Sequence, residues 1–186
     1  MSNHNNIVFW AACLTGFFGF LRPNNFLVKG TFNPDINLRR IDVLPCSWGM
    51  LLRLKVTKTL QFRAKPIEIF LPSSHNHPLC PVTAMSNVLA LVGEPLEPLF
   101  RLSDQSCLTH TVFLNAFRFI LQLMRLDQSS YGGHSFRRGA ATWGSKVGLS
   151  NSEIKLLGYW SSDCFSRYVD SDVDQRLKAI STFSSL

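Results

Sequence analysis

The stretch GGHSFRRGAATWGSKVGLSNSEIKLLGYW, residues 132–160, holds two helix starts and two helix stops in one run. Ser135 can cap a helix that continues to about Lys146, with Gly148 just past its end. Ser150 followed three residues later by Glu153 is a capping-box spacing that opens a second helix, which stops at Gly158. His134 and Arg137 stand three apart at the first turn of the first helix, so their side chains share a face beside outward-pointing backbone N–H groups, and a phosphate could be held there. Alone, that spacing is weak and a structural role competes with it. Gly144, Gly148 and Ile154 also fall at helix-turn-helix spacings, which keeps a non-enzymatic DNA-binding module open as an alternative.

Upstream of that stretch, Phe113, Phe117, Ile120, Leu121 and Met124 recur at helical spacing and predict an amphipathic helix. Val82 to Val92 reads as a helix with Pro81 at its start, ended near Gly93 and Pro95, and Ser73 to Pro81 reads as a loop. Between Asn37 and Leu71 the period changes to two. Leu52, Leu54 and Val56 alternate with Arg53, Lys55 and Thr57, and Ile67, Ile69 and Leu71 alternate around Glu68, so strands are expected on either side of a hairpin connection bracketed by Lys58 and Lys65.

The apolar run Ile7 to Leu21 predicts a buried helix, stopped or bent by Pro23, Asn24 and Asn25, which puts Arg22 at a helix end. The run has 15 residues, short of the roughly 20 that cross a bilayer. Its leader, Met1 to Asn6, has no Lys or Arg, so the positive region of a secretory signal is missing. At the other end a last helix is expected over Phe165 to Tyr168. No internal repeat, low-complexity tract or linker interrupts the 186 residues, which read as a single domain, mostly helical with a small antiparallel sheet.

Composition bounds the chemistry. The chain has 22 aromatic residues and only 17% charged ones, enough apolar material for a packed core, which excludes intrinsic disorder. Five cysteines, an odd number without a CxxC pair, argue against a disulfide framework and a cysteine zinc site and for a reducing, intracellular compartment. The net charge of +7 is concentrated: between Phe20 and Ile67 stand nine basic residues against Asp35 and Asp42, while the rest of the chain balances at ten and ten. A polyanion-facing surface and a merely solvated basic face are both compatible with this excess.

Metal and nucleotide sites find little support. His75, His77 and Cys80 give H-x-H-x-x-C without an evident fourth ligand. Asp170, Asp172 and Asp174 imitate the start of a calcium loop, but Gln175 stands where its glycine belongs and Ser181 where its glutamate belongs. No GxxxxGK or GxGxxG occurs.

Five separated segments form a set. GGHSFRRGAAT, LGYW and SRYV together resemble the catalytic box of the tyrosine recombinases, the phage-integrase family that includes Cre recombinase; GFFGFLRPNNF resembles the segment with that family's first arginine, and VTKTLQF the hairpin with its lysine. The matches keep the family's order from Arg22 to Tyr168, and their wording looks closest to recombinases of eukaryotic mobile elements of the DIRS or Crypton kind. The resemblance implies a mainly helical catalytic core of the DNA breaking-rejoining type with a small three-stranded antiparallel β-sheet. By position, Arg22 is similar to the first arginine, Lys58 to the hairpin lysine, His134 and Arg137 to the HxxR pair, Trp160 to the His-or-Trp position and Tyr168 to the nucleophile.

The same resemblance implies double-stranded DNA as partner, a homo-tetramer on two duplexes, a nuclear location, and neither cofactor, metal nor membrane. Three features depart from the family pattern. Asn25 occupies the position where an acid usually orients the first arginine, Trp160 and Tyr168 stand one residue closer than in many bacterial members, and Lys65 is a second candidate for the proton donor. The chain also begins almost at the first catalytic helix, without the additional helical clamp domain that family members generally carry, so a decayed relic is a further alternative. A type IB topoisomerase shares the chemistry and is the nearer rival.

Overall fold

The structure is a computed structural model that describes residues 2–55, 66–74 and 77–160. The chain forms two compact units, Met1–Arg137 and Arg138–Leu186.

In the first unit, helix α1 (Asn3–Phe18) starts earlier than its apolar run, because the Ser2 hydroxyl accepts from the Asn5 N–H and draws the polar leader into the helix. It is the buried helix its composition predicts: Val8, Phe9, Ala11, Ala12 and Leu14 are all in the core. No helix among the described residues is long and apolar enough to cross a membrane. α1 ends in a Schellman turn, in which Phe20 N–H bonds Phe17 O (3.1 Å) and Leu21 N–H bonds Gly16 O (2.9 Å). The residue at the left-handed position of that turn is Phe20, at φ 52°.

The chain then enters a one-turn helix, α2 (Pro23–Phe26), with Arg22 as its N-cap residue. Arg22 therefore begins the next helix instead of ending the first: proline is favoured at the first helical position, where its missing N–H costs nothing.

Three strands follow, β1 (Val43–Cys46), β2 (Gly49–Leu54) and β3 (Ile67–Pro72), forming an antiparallel sheet in the order β1-β2-β3. Register is set by Val43 opposite Leu52, Cys46 opposite Gly49, and Arg53 opposite Glu68. Leu52, Leu54, Ile69 and Leu71 are buried on one face, while the Arg53–Glu68 pair, 3.5 Å apart, stands on the exposed one. That is the period-two reading of the sequence realised over the described part of the hairpin.

Helix α3 (Pro81–Ala90) is capped by the Cys80 sulfur, which accepts from Thr83 N–H and Ser74 N–H, and ends two residues short of the expected Val92. The reason for the early stop is Arg40: its guanidinium donates to the carbonyls of Val88, Leu89 and Leu91, supplying partners that further helical turns would have supplied. Helix α4 (His110–Leu123) carries the expected stripe, with Phe113 and Leu121 buried. Phe113 is the hub of a ring cluster, 5.1 Å from Phe9, 5.5 Å from Phe136 and 6.4 Å from Phe117.

Helix α5 (Ser135–Lys146) begins in the first unit and the boundary falls within it. In the second unit α6 (Asn151–Leu157) opens with the expected capping box, Ser150 N–H to Glu153 Oε2 (2.7 Å) and Glu153 N–H to Ser150 Oγ (3.3 Å). Gly148, at φ 94°, turns the chain between the two helices, and Gly144 lies against Leu149 and Ile154.

Candidate active site

Two close approaches build the site in the first unit. A Cβ on Gly16 would come within 3.3 Å of Phe136, so the absent side chain lets the first turn of α5 lie against α1. A Cβ on Gly133 would come within 3.3 Å of His110 Nε2 and 3.7 Å of Pro23, so the loop leading into α5 lies on the first residue of α2. The phenylalanine cluster holds both contacts, since Phe136 packs on Phe113 and Phe117 (4.9 Å). Arg22 and His134, far apart in sequence, consequently line one cleft of about 600 Å³.

Its other walls come from α2, the segment after it, and the end of β2, including Lys29, Asn37 and Lys55. Among the described residues no Asp or Glu lines it, and Arg22, Lys29 and Lys55 bring three permanent positive charges to its wall. The field is felt nearby: burial, then the charges of Lys29 and Arg118, push the His110 imidazole below its ordinary range.

Arg22 reaches the cleft half-buried, and its Nε is buried without a hydrogen-bond partner among the described residues. Asn25 leaves that guanidinium alone. Its Oδ1 instead accepts from the Arg22 backbone N–H (3.0 Å), fixing the main chain at the start of α2. The position where the resemblance leads one to expect an orienting acid thus holds the backbone of the arginine.

His134 is exposed on the cleft, and Arg137, half-buried, follows one turn into α5. Ser135 is the first helical residue, not the cap outside it: its Oγ accepts from Gly132 N–H (3.0 Å) and tightens the loop that carries His134. Trp160 belongs to the second unit and is buried there. α6 ends in a Schellman turn, Tyr159 N–H to Leu156 O and Trp160 N–H to Lys155 O, both 3.1 Å, with Tyr159 at φ 52°. The turn throws the Trp160 ring back over Gly158, in space a Cβ there would occupy. Lys58, Lys65 and Tyr168 lie outside the described residues, as does the helix expected at Phe165 to Tyr168.

The structure also sorts the basic stretch. Arg39 grips the buried Asp42 through Nε (3.1 Å) and Nη2 (2.9 Å), and Lys55 Nζ stands 3.5 Å from the same carboxylate while donating to Pro34 O. Burial works to raise the Asp42 carboxyl, but the hydrogen bonds from Arg39 and the charges of Lys55 and Arg39 outweigh it and hold the group below its usual range. Arg39 and Arg40 are therefore structural cations. Lys29 and Lys55 are the cleft residues that sequence reasoning passed over: both were within the basic stretch, and nothing in their spacing set them apart from Arg39 or Arg40.

Among the described residues Cys13, Cys46, Cys80 and Cys107 are free thiols, and burial pushes Cys13 up to about 12. His77 accepts from Leu79 N–H, and with Cys80 capping α3 the H-x-H-x-x-C residues within the described chain have local structural roles.

No family model and no curated protein matches the chain. Solved structures do. The chain is similar to the Tn1549 transposon integrase in complex with circular intermediate DNA, over 94% of this chain and 59% of that one, with a TM-score of 0.54 and 12% identity. It is also similar to a variant of that integrase with another circular intermediate DNA, over 96% and 58%, at a TM-score of 0.51 and 12% identity. The expected architecture, mainly helical with a three-stranded antiparallel sheet, is the one observed and is shared with a transposon integrase. The chain spans under two thirds of those neighbours' length, and at 12% identity the likeness is one of fold.

Proposed function

We propose that the chain is the catalytic domain of a DNA strand-transfer enzyme of the tyrosine recombinase and integrase type, acting on double-stranded DNA in recombination or integration. The observation that carries this reading is the cleft lined by Arg22 and His134, with no carboxylate among its described lining residues, in a fold shared with a DNA-bound transposon integrase.

The reaction has two transesterifications. The Tyr168 phenol oxygen attacks the phosphorus and a 3′-phosphotyrosyl bond forms as the P–O5′ bond breaks. Lys58 gives a proton to the departing 5′ oxygen, and His134 binds the phosphate or takes up the phenol proton. Arg22 and Arg137 present planar forks to the equatorial oxygens, and each such contact, stronger in the transition state, is worth roughly a hundredfold to a thousandfold in rate. Trp160 donates its indole N–H to a phosphate oxygen. A 5′ hydroxyl from another strand then displaces the tyrosine, so bond energy is conserved and neither ATP nor a metal enters. The assembly is a tetramer on two duplexes, in the nucleus, of the eukaryotic mobile-element kind.

A nicked suicide duplex incubated with the protein tests this: a denaturation-resistant adduct mapping to Tyr168 is expected, and an adduct surviving Tyr168→Phe rejects that nucleophile. DNA with a 5′-phosphorothiolate is expected to rescue Lys58→Ala; rescue of Lys65→Ala instead transfers the proton-donor role. The α5–α6 corner, with Gly148 in its turn, favours a second reading as a binding module. Duplex binding without any adduct would support it.

A further inference from the structure

We infer that the cleft holds a run of consecutive backbone phosphates, with Lys29 and Lys55 taking those that flank the phosphate at Arg22 and His134. This rests on the proposed DNA substrate.

The charges do not match a single phosphate. A phosphodiester carries one negative charge, and the described lining carries three permanent positive charges with no acid among the lining residues; the buried Asp42 pairs with Lys55 but is already shared with Arg39. One phosphodiester at Arg22 would leave Lys29 without a counter-charge and Lys55 sharing a single carboxylate with Arg39; two or three in succession would balance the excess. Size agrees. At roughly 30 Å³ per water, about 600 Å³ holds on the order of twenty waters, and one phosphate with its four oxygens fills a small part of that.

The two lysines are prepared differently. Lys55 is held by the Asp42 carboxylate and the Pro34 carbonyl, two acceptors for an ammonium group that has three protons, so one donor remains while the carboxylate fixes its place. Asp42, only 6% exposed and also gripped by Arg39, is the positioning residue. Lys29 is exposed and makes no ion pair among the described residues, so its ammonium swings to a phosphate without breaking one. Amide groups of Asn24 and Asn37, also on the lining, offer further, neutral donors.

The test is the salt dependence of binding to a labelled duplex, read by fluorescence anisotropy on the full chain. Each phosphate contact adds about 0.9 to the slope of log Kobs against log salt. Lys29→Gln and Lys55→Gln should each lower the slope by about 0.9, so that raising salt from 50 to 200 mM weakens each variant roughly 3.5-fold less than the parent. Arg53→Gln, which removes the same charge on the exposed face of the sheet, controls for net charge and should leave the slope at the parent value.

Slopes for both lysine variants equal to that of Arg53→Gln overturn the inference while leaving the proposed function intact, because the Tyr168 adduct is scored separately. A parent chain with no salt-dependent duplex binding overturns both. Should Lys55→Gln fail to fold, Lys29→Gln decides alone, since no hydrogen bond of the fold depends on that side chain among the described residues.

Discussion

Replacing Asp42 with asparagine removes one negative charge from beneath two cations. The carboxylate is 8% exposed in its side chain and receives Arg39 Nε at 3.1 Å, Nη2 at 2.9 Å and the Arg39 backbone N–H at 2.9 Å, with Lys55 at 3.5 Å. Breaking a fully buried pair from one side costs about 3–5 kcal/mol. Arg39 and Lys55 retain 23% and 22% exposure, so water rehydrates them, and the asparagine Oδ1 still accepts one neutral bond. The expected loss is about 2–3 kcal/mol, weighing that rehydration against charge-assisted bonds of about 1.5–3 kcal/mol each. For a chain of this size that is roughly 4–12 °C in Tm.

The pH dependence separates charge from shape. Because the folded carboxyl is held below its unfolded value, its contribution is complete above the unfolded pKa of about 3.9 and is lost as pH falls through the lower folded value. Thermal melts by circular dichroism should therefore show a constant gap between parent and Asp42→Asn from pH 7 to 5, closing below pH 4. A gap under about 1 °C at pH 7, or one that stays open to the lowest pH at which the parent folds, would refute the account, as a gap of about 1 °C is well below one charged hydrogen bond.

Arg40→Gln should cost about 2–3 kcal/mol in denaturant titration, since three carbonyls at the end of α3 lose a charged donor, and should leave the salt slope of DNA binding unchanged because Arg40 does not line the cleft. Gly158→Ala forces the Trp160 ring off the turn; with Trp10, Trp48 and Trp143 all more than 40% exposed, the blue-shifted part of the tryptophan emission should disappear, and an unchanged spectrum would count against the turn geometry. Arg125, exposed at φ 58° in the Schellman turn after α4, should gain up to about 1 kcal/mol on replacement by glycine, measured by the same titration. His110→Phe should flatten the stability profile on the acid side of about pH 6.5, because a histidine held below its ordinary value contributes fully above the unfolded pKa and loses that contribution as pH falls through the folded one.

Local order is legible in the sequence. Ser150 and Glu153, Pro81, the stripe from Phe113 and the alternation around Leu52 and Ile69 each act within a few residues, through caps, proline geometry and side-chain period, so sequence alone determined the elements they specify. The end of α3 was not legible, because Arg40 sets it across some fifty residues of chain. Nor were the turns at Phe20 and Tyr159, where a bulky residue takes a left-handed conformation usually left to glycine, immediately upstream of Arg22 and Trp160. A motif-level reading named Arg22 and His134 but could not say what surrounds them. Nine cations in one basic stretch look alike as letters. Tertiary structure alone decided that Arg40 is spent on the carbonyls of α3 while Lys29 and Lys55, the latter anchored on Asp42, line a cleft, because a charge is neutralised by whatever acceptor the fold brings within a few ångströms, and the partners of Arg40 and Lys55 come from segments that short-range spacing does not connect.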